Sequence, residues 1–237
     1  LYRGKAYRRS DTATIETDQP ELKRLILEGS NLYFEGLPCH EDNLTFSYFE
    51  TKLKDILGIS ELTDDMLRTF GFYTDTRELN NASALFSDYN SFYGIDMVRF
   101  GSTISIILDR ETYQNCSVFE QYDKAVNLYC KYYQHEEIKV IERNKVETLP
   151  ETAFREAVAN ALVHRMWDIN SHVRIAMHPD RIEIVSPGGL PKNVSKEEYL
   201  NGNISNLRNP IIGNIFFRLH YIEMFGTGIA RIKEAYN

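Results

Sequence analysis

The chain has 237 residues, 43% of them hydrophobic, and a formal net charge of −7. That length supports one large or two small domains with packed cores, and the acidic balance excludes a stand-alone nucleic-acid binder, which is normally basic. The acidic surplus lies before residue 150, with 17 basic against 25 acidic residues there and 10 against 9 after it. Cys39, Cys116 and Cys130 are too scattered for a metal centre or a disulfide framework, so free thiols in a reducing cytoplasm are expected. No apolar run approaches the ~18 residues of a membrane span, and no signal peptide is visible. A first residue that is Leu rather than Met suggests a piece of a longer protein.

In chain order, residues 1–15 carry an aromatic-basic cluster: Tyr2, Arg3, Lys5, Tyr7, Arg8 and Arg9. It reads as a phosphate-contacting strand or as a solvated terminal strand, and the second suits the usual behaviour of termini. A short helix is expected over 19–29, stopped by Gly29, and two more over 42–57 and 61–70, the latter capped and charged by Thr63-Asp64-Asp65. The short gaps between them predict packing against neighbours rather than a flexible linker. Residues 79–89 suit a short helix, and 93–101 and 102–110 suit two strands about Gly101-Ser102. A helix is expected over 117–134, with aromatic residues crowding one side, and a strand over 138–143.

The central stretch runs from Pro150 to Arg165. Phe154, Ala157, Val158, Ala161 and Leu162 form one apolar helical face, while Glu156, Asn160 and His164 form a polar stripe at its rim. Thr148 with Glu151 predicts a capping box. A carboxylate and a carboxamide one turn apart can serve metal-assisted phosphate chemistry, the first on a water and the second on magnesium. On spacing alone, a solvent-facing stripe is the plainer reading. Beyond it, 172–179 and 180–187 predict a hairpin turning near Pro179-Asp180. Short helices are expected over 195–201, from Pro210 to 219, and over 229–236.

Two glycine loops punctuate this half. Gly188-Gly189 ends a strand, and Gly226-Thr227-Gly228 opens a helix. Such glycines let backbone N–H groups approach a phosphate, and the helix dipole favours the negative charge. Either alone is also an ordinary turn.

The order of these pieces says more than any one of them. An E-x-x-x-N helix, then a strand and glycine loop with Ser186 26 residues after Asn160, then a G-x-G helix start, resembles the N-box and two glycine boxes of the GHKL nucleotide-binding fold. Gyrase, histidine kinases, heat-shock chaperones and MutL share that fold. REAVANALVHRMW, DRIEIVSPGGLP, LRNPIIGNIFF and IEMFGTGIARI resemble one branch more closely. That branch is the C-terminal ATPase-like domain of bacterial and archaeal transcriptional regulators, often labelled RecG-related ATP-dependent DNA helicases. LNNASALFSDYN is similar to the segment preceding that domain, and GKAYRRSDTAT to the last strand of those proteins' Schlafen/AlbA-type DNA-binding domain.

The resemblance implies ATP and Mg as cofactors, with Glu156 as general base and Asn160 on the metal. Ser186, Gly188, Gly189, Arg208, Gly226, Thr227 and Gly228 would surround the nucleotide. One departure is important: Ser186 stands where active ATPases of the fold carry an Asp for the adenine amino group. A hydroxyl is the weaker partner, and Asp180 lies at the far end of the strand, about 20 Å away. The second glycine box is also short. Arg208 reads as a phosphate contact, or as a surface arginine before a helix that Asn209 caps and Pro210 opens. His164 and Arg165 are expected to complement the helix dipole, and Trp167 to pack.

The fold expected is α+β: a helical N-terminal part followed by a GHKL-like two-layer α/β sandwich, its sheet mixed or mainly antiparallel, with helices at 117–134, 150–165 and 211–219 on one face. The expected divisions are 1–18, the tail of a DNA-binding domain; 19–77, a helical connection; and 78–237, the ATPase-related domain. Three functions stay open. The first is the ligand-sensing or assembly portion of a cytoplasmic transcription regulator that contacts DNA mainly through its N-terminal domain. The second is a Mg-dependent ATPase, and the third a degenerate scaffold for protein–protein interaction. Expected partners are DNA through the full-length protein, a nucleotide or small effector, and a second copy in a homodimer, with no membrane.

Overall fold

The computed structural model describes all residues except 1–4, 11, 31, 140, 141, 191–194, 196, 199–206, 224, 225 and 237. Strands β1 (Tyr7–Ser10) and β2 (Ala13–Glu16) form an antiparallel hairpin, followed by α1 (Gln19–Gly29). A 3-10 turn at Phe34–Gly36 leads to α2 (Ser47–Leu57), α3 (Asp64–Thr69) and α4 (Asn81–Phe86). The starts of α3 and α4 are set locally. Thr63 Oγ1 accepts the Met66 N–H at 3.3 Å, and Asn80 Oδ1 accepts the Ser83 N–H at 3.0 Å.

Next come β3 (Ile95–Phe100) and β4 (Ile107–Tyr113), then α5 (Val118–Tyr133). The second strand starts later than the sequence suggests. The Gly101 N–H donates to the Ile106 carbonyl at 2.8 Å, so 101–106 is spent on a turn that leaves Ile104 and Ile106 exposed. After α5 the sequence suggests one strand over 138–143, but the chain forms a hairpin of β5 (Gln134–Lys139) and β6 (Glu142–Glu147). Helix α6 (Glu151–Val163) follows, then β7 (Val173–Met177), β8 (Ile182–Val185), α7 (Pro210–Arg218) and α8 (Gly228–Ala235). The helix expected over 195–201 falls mostly outside the described residues.

The central sheet has the order β4-β3-β7-β8. It is mixed, because β3 and β7 run parallel while both outer pairs are antiparallel. A parallel pair needs a long crossover, and the segment from β4 through α6 supplies it. Val173, Ile175 and Met177 alternate with more exposed residues along β7, and Ile95 and Met97 do so on β3, which gives the sheet one apolar face. Helix α5 packs on β3 and β4, and α6 packs on β8 and α5. Helix α7 joins this layer through α6.

The N-terminal helices share this core. Phe49 of α2 lies against Phe70, Phe72, Phe86 and Phe119 with ring centroids 5.3–6.1 Å apart, and Phe119 reaches Phe216 of α7 at 4.9 Å. Such aromatic pairs contribute about 0.5–1.5 kcal/mol each beyond the area they bury. The α5–α6 contact includes Tyr129 stacked on Phe154 at 4.6 Å. Among the described residues, no helix is long and apolar enough to cross a membrane.

Candidate functional site

Helix α6 is the organising element, and its burial is wider than its five-residue apolar face suggests. Ala153, Ala159 and Val163 are buried as well, Ala157 is only half-buried, and Glu156 is 8% exposed rather than on an open rim. The Thr148–Glu151 capping box does not form. Pro150 holds the N-cap position, and the Glu147 carboxylate accepts the Glu151 N–H at 2.9 Å. An acid at that end complements the dipole equally well.

The C-terminal end of α6 is closed by the residues expected to hold a nucleotide. The Ser186 hydroxyl donates to the Ala161 carbonyl at 2.6 Å, and the Met166 N–H donates to the Pro187 carbonyl at 2.9 Å. Arg208 donates to the His164 carbonyl at 2.9 Å and to the Gly189 carbonyl at 2.7 Å, which ties the helix to the first glycine loop. Asn209, 3% exposed, sits at the N-cap of α7, but its side chain does not cap that helix. Its amide instead donates to the Val163 and Arg165 carbonyls at 2.7 and 2.8 Å. The Val163 carbonyl is the last of α6, one of the groups a helix end leaves unpaired, and the Arg165 carbonyl lies just beyond it.

The glycine loop is packed just as closely. Gly188 has φ +112°, and a Cβ there would come within 2.6 Å of Met166 Cγ and 2.8 Å of Arg208 Nη1. Gly189 has open space around it. His164 and Arg165 do more than complement a dipole. Burial and then the charge of Arg208 lower the His164 pKa, which favours a neutral ring. Arg165, 1% exposed, donates to the Tyr93, Gly94 and Ser171 carbonyls and lies 4.2 Å over Trp167. Burial lowers its pKa to about 10. Trp167 is buried packing, edge-on to Phe92.

Glu156, Asn160 and Gly228 do converge on one spot. Asn160 Nδ2 donates to Glu156 Oε1 at 3.1 Å, one turn along the helix. The start of α8 rests directly on this pair: a Cβ built on Gly228 would overlap Glu156 Oε1 and come within 2.9 Å of Asn160 Nδ2. Burial raises the Glu156 pKa, opposed by the Asn160 hydrogen bond and by Arg231. Thr227 is the N-cap of α8, with no hydrogen bond from its side chain to the helix, and Gly226 has φ +69°.

These residues do not fit ATP and magnesium in this arrangement. Gly228 packs against one oxygen of Glu156 and the amide of Asn160, Ser186 donates its proton to a backbone carbonyl, and Arg208 donates to two more. The neighbouring cavity lies toward the other end of α6. It occupies about 650 Å³ between α2, α5, α6, the turn after α7, and α8, and of the predicted residues it touches Glu156 alone. Sequence reasoning gave Arg165 and Asn209 only helix-end roles and missed this cavity. A buried charge carries no periodic signature, and the cavity is assembled from five separate segments.

Comparison with known proteins gives likenesses of two kinds, to a family and to solved structures. Residues 170–237 match the family described as "Putative ATP-dependent DNA helicase recG C-terminal". The match runs from β7 to the end of the chain and takes in both glycine loops, Ser186 and Arg208. It begins after Glu156 and Asn160 and spans under a third of the chain, so ATPase-like character is a similarity of that segment. The crystal structure of the DIP2311 protein from Corynebacterium diphtheriae superposes with a TM-score of 0.70 at 21% identity, over 98% of this chain and 48% of that one. The chain thus spans about half the length of that protein, and at this identity the likeness concerns the fold. No curated protein matches the chain.

Proposed function

We infer that this segment is the ligand-sensing or assembly portion of a transcription regulator, built on an ATPase-like scaffold whose nucleotide-box residues serve as internal ties. The observation that carries this reading is the seating of Gly228 on the Glu156–Asn160 pair, where a triphosphate and its metal would have to enter. Ser186 supports it, since its hydroxyl is committed to α6. DNA contact belongs to a Schlafen/AlbA-type domain on the N-terminal side, a reading supported by the sequence likeness of residues 4–14. The net charge of −7 makes this segment itself a poor partner for a polyanion.

Calorimetric titration of ATP and ADP with magnesium, beside an Asn160→Ala variant, tests the reading. The expected result is no binding heat up to about millimolar nucleotide, the weak end of specific affinity. Micromolar binding that the variant loses would overturn it, and a phosphate-release assay would then measure turnover. A second reading, a Mg-dependent ATPase, is favoured by one observation: Glu156, Asn160 and Gly228, distant in sequence, meet as the resemblance implies. In that reading α8 moves off α6 when nucleotide binds.

A further inference from the structure

The cavity of about 650 Å³ beside the first turns of α6 has no part in the ties described above, apart from Glu156 in its wall. Its volume falls within the range of small-molecule sites. Tyr122 of α5 lines it and is 1% exposed, yet its hydroxyl makes no hydrogen bond among the described residues. The hydroxyl is not one of the buried polar atoms left without a partner, so it opens onto the cavity, where a ligand oxygen would take the place of water as its partner. Tyr221 stands edge-on to Tyr122 at 5.0 Å, and Leu219, Ile56 and Ala235 complete an apolar wall.

Two guanidinium groups flank this wall, and their existing partners are easily exchanged. Arg155 pairs with Glu151 at 3.1 Å, and Arg231 with Glu223 at 2.9 Å. Both arginine side chains are more than 40% exposed, and ion pairs of that kind contribute about 0–1 kcal/mol. Either arginine can therefore turn to an incoming anion at little loss. Two carboxylates also line the cavity: Glu156 is buried and held by Asn160, a setting that disfavours its charged form, and Glu234 is exposed to solvent, which screens its charge.

We propose that this cavity binds a small carboxylate with a flat apolar body, its anion between Arg155 and Arg231, an oxygen on the Tyr122 hydroxyl, and its body against Tyr221 and Leu219. Such a ligand would touch α5, α6 and α8 at once and would fix the seating of α8 on α6. That regulatory consequence rests on the sensing reading above, whereas the binding itself does not.

The test uses sodium benzoate as probe, titrated into the 15N-labelled chain, with benzylamine and benzyl alcohol as controls of the same shape. Saturable amide shifts confined to residues 152–156, 219–221 and 231–235 are expected with benzoate only. Arg155→Gln and Arg231→Gln should each weaken binding by about tenfold, the effect of one charge-assisted hydrogen bond. Tyr122→Phe should weaken it by about fivefold while leaving thermal stability unchanged or higher, because the hydroxyl it removes has no protein partner. The proposal is overturned by non-saturating shifts, by equal shifts from all three probes, or by benzoate binding indifferent to both arginine substitutions. Nucleotide titration of the same sample reports on the sensing reading separately: ATP binding alongside benzoate binding would sink that reading and leave the cavity assignment standing.

Discussion

The Glu35 carboxylate accepts the Ile211 N–H at 2.6 Å across 176 residues of sequence, and its second oxygen accepts the Ile212 N–H at 2.9 Å. A fully buried acid from the N-terminal part thereby caps α7 and its dipole. Burial outweighs those two hydrogen bonds and raises the Glu35 pKa to about 7.

A pH dependence follows from that shift. The folded chain holds the Glu35 proton up to about pH 7, whereas the unfolded chain releases it near pH 4.5. Between those values the folded state binds more protons, so this group's contribution to stability falls as pH rises, by at most about 3 kcal/mol. Thermal unfolding followed from pH 5 to pH 8 should show Glu35→Gln less stable than the parent at the acid end and equal or better at the alkaline end. A difference independent of pH would refute the linkage.

Gly228→Ala should destabilise the chain by about 1–3 kcal/mol, because the new methyl meets the buried Glu156 carboxylate. Adding Glu156→Ala removes the nearer obstacle and leaves only the Asn160 amide at 2.9 Å, so the double variant should be more stable than the sum of the single changes predicts. Denaturant titration of all four proteins measures the coupling, and strict additivity would place Gly228 elsewhere.

Ser186→Ala should cost about 1 kcal/mol through the lost hydrogen bond to the Ala161 carbonyl. Ser186→Asp would restore the acid of active ATPases but set its charge against that same carbonyl. It should destabilise further and create no ATP affinity by calorimetry. Nucleotide binding by the Ser186→Asp chain would mean that adenine recognition was the single missing part.

Asn209→Ala should be the most damaging of these substitutions, about 2–4 kcal/mol, since it strips the Val163 and Arg165 carbonyls of their amide donor in a buried place. Asn209→Asp, of the same size but without donors, should be no better. Hydrogen exchange would show the loss first in the last turn of α6.

Much of the fold was legible because local rules govern it. The alternation along β7, the aromatic face of α5 and the cap at Thr63 act within a few residues, and those elements form where expected. The β5–β6 hairpin was not legible: its strands are largely polar, so period-2 alternation had nothing to mark. Arg208 and Asn209 show the limit at the site. Their spacing before Pro210 fits a helix entry, yet their hydrogen bonds run to a helix 44–46 residues earlier, and no local pattern encodes that. The convergence of Glu156, Asn160 and Gly228 was legible only through resemblance, and the resemblance did not reveal that α8 would lie directly on the pair.

The parallel pairing of β3 with β7 sets where this protein can be cut. A fragment beginning at residue 170 would carry the whole family-matching stretch, but its first strand would have lost its inner neighbour and α7 the phenylalanines that cover it. The family match begins at residue 170, while the aromatic packing that covers its helix reaches back to Phe49 of α2, and expression boundaries should follow the packing.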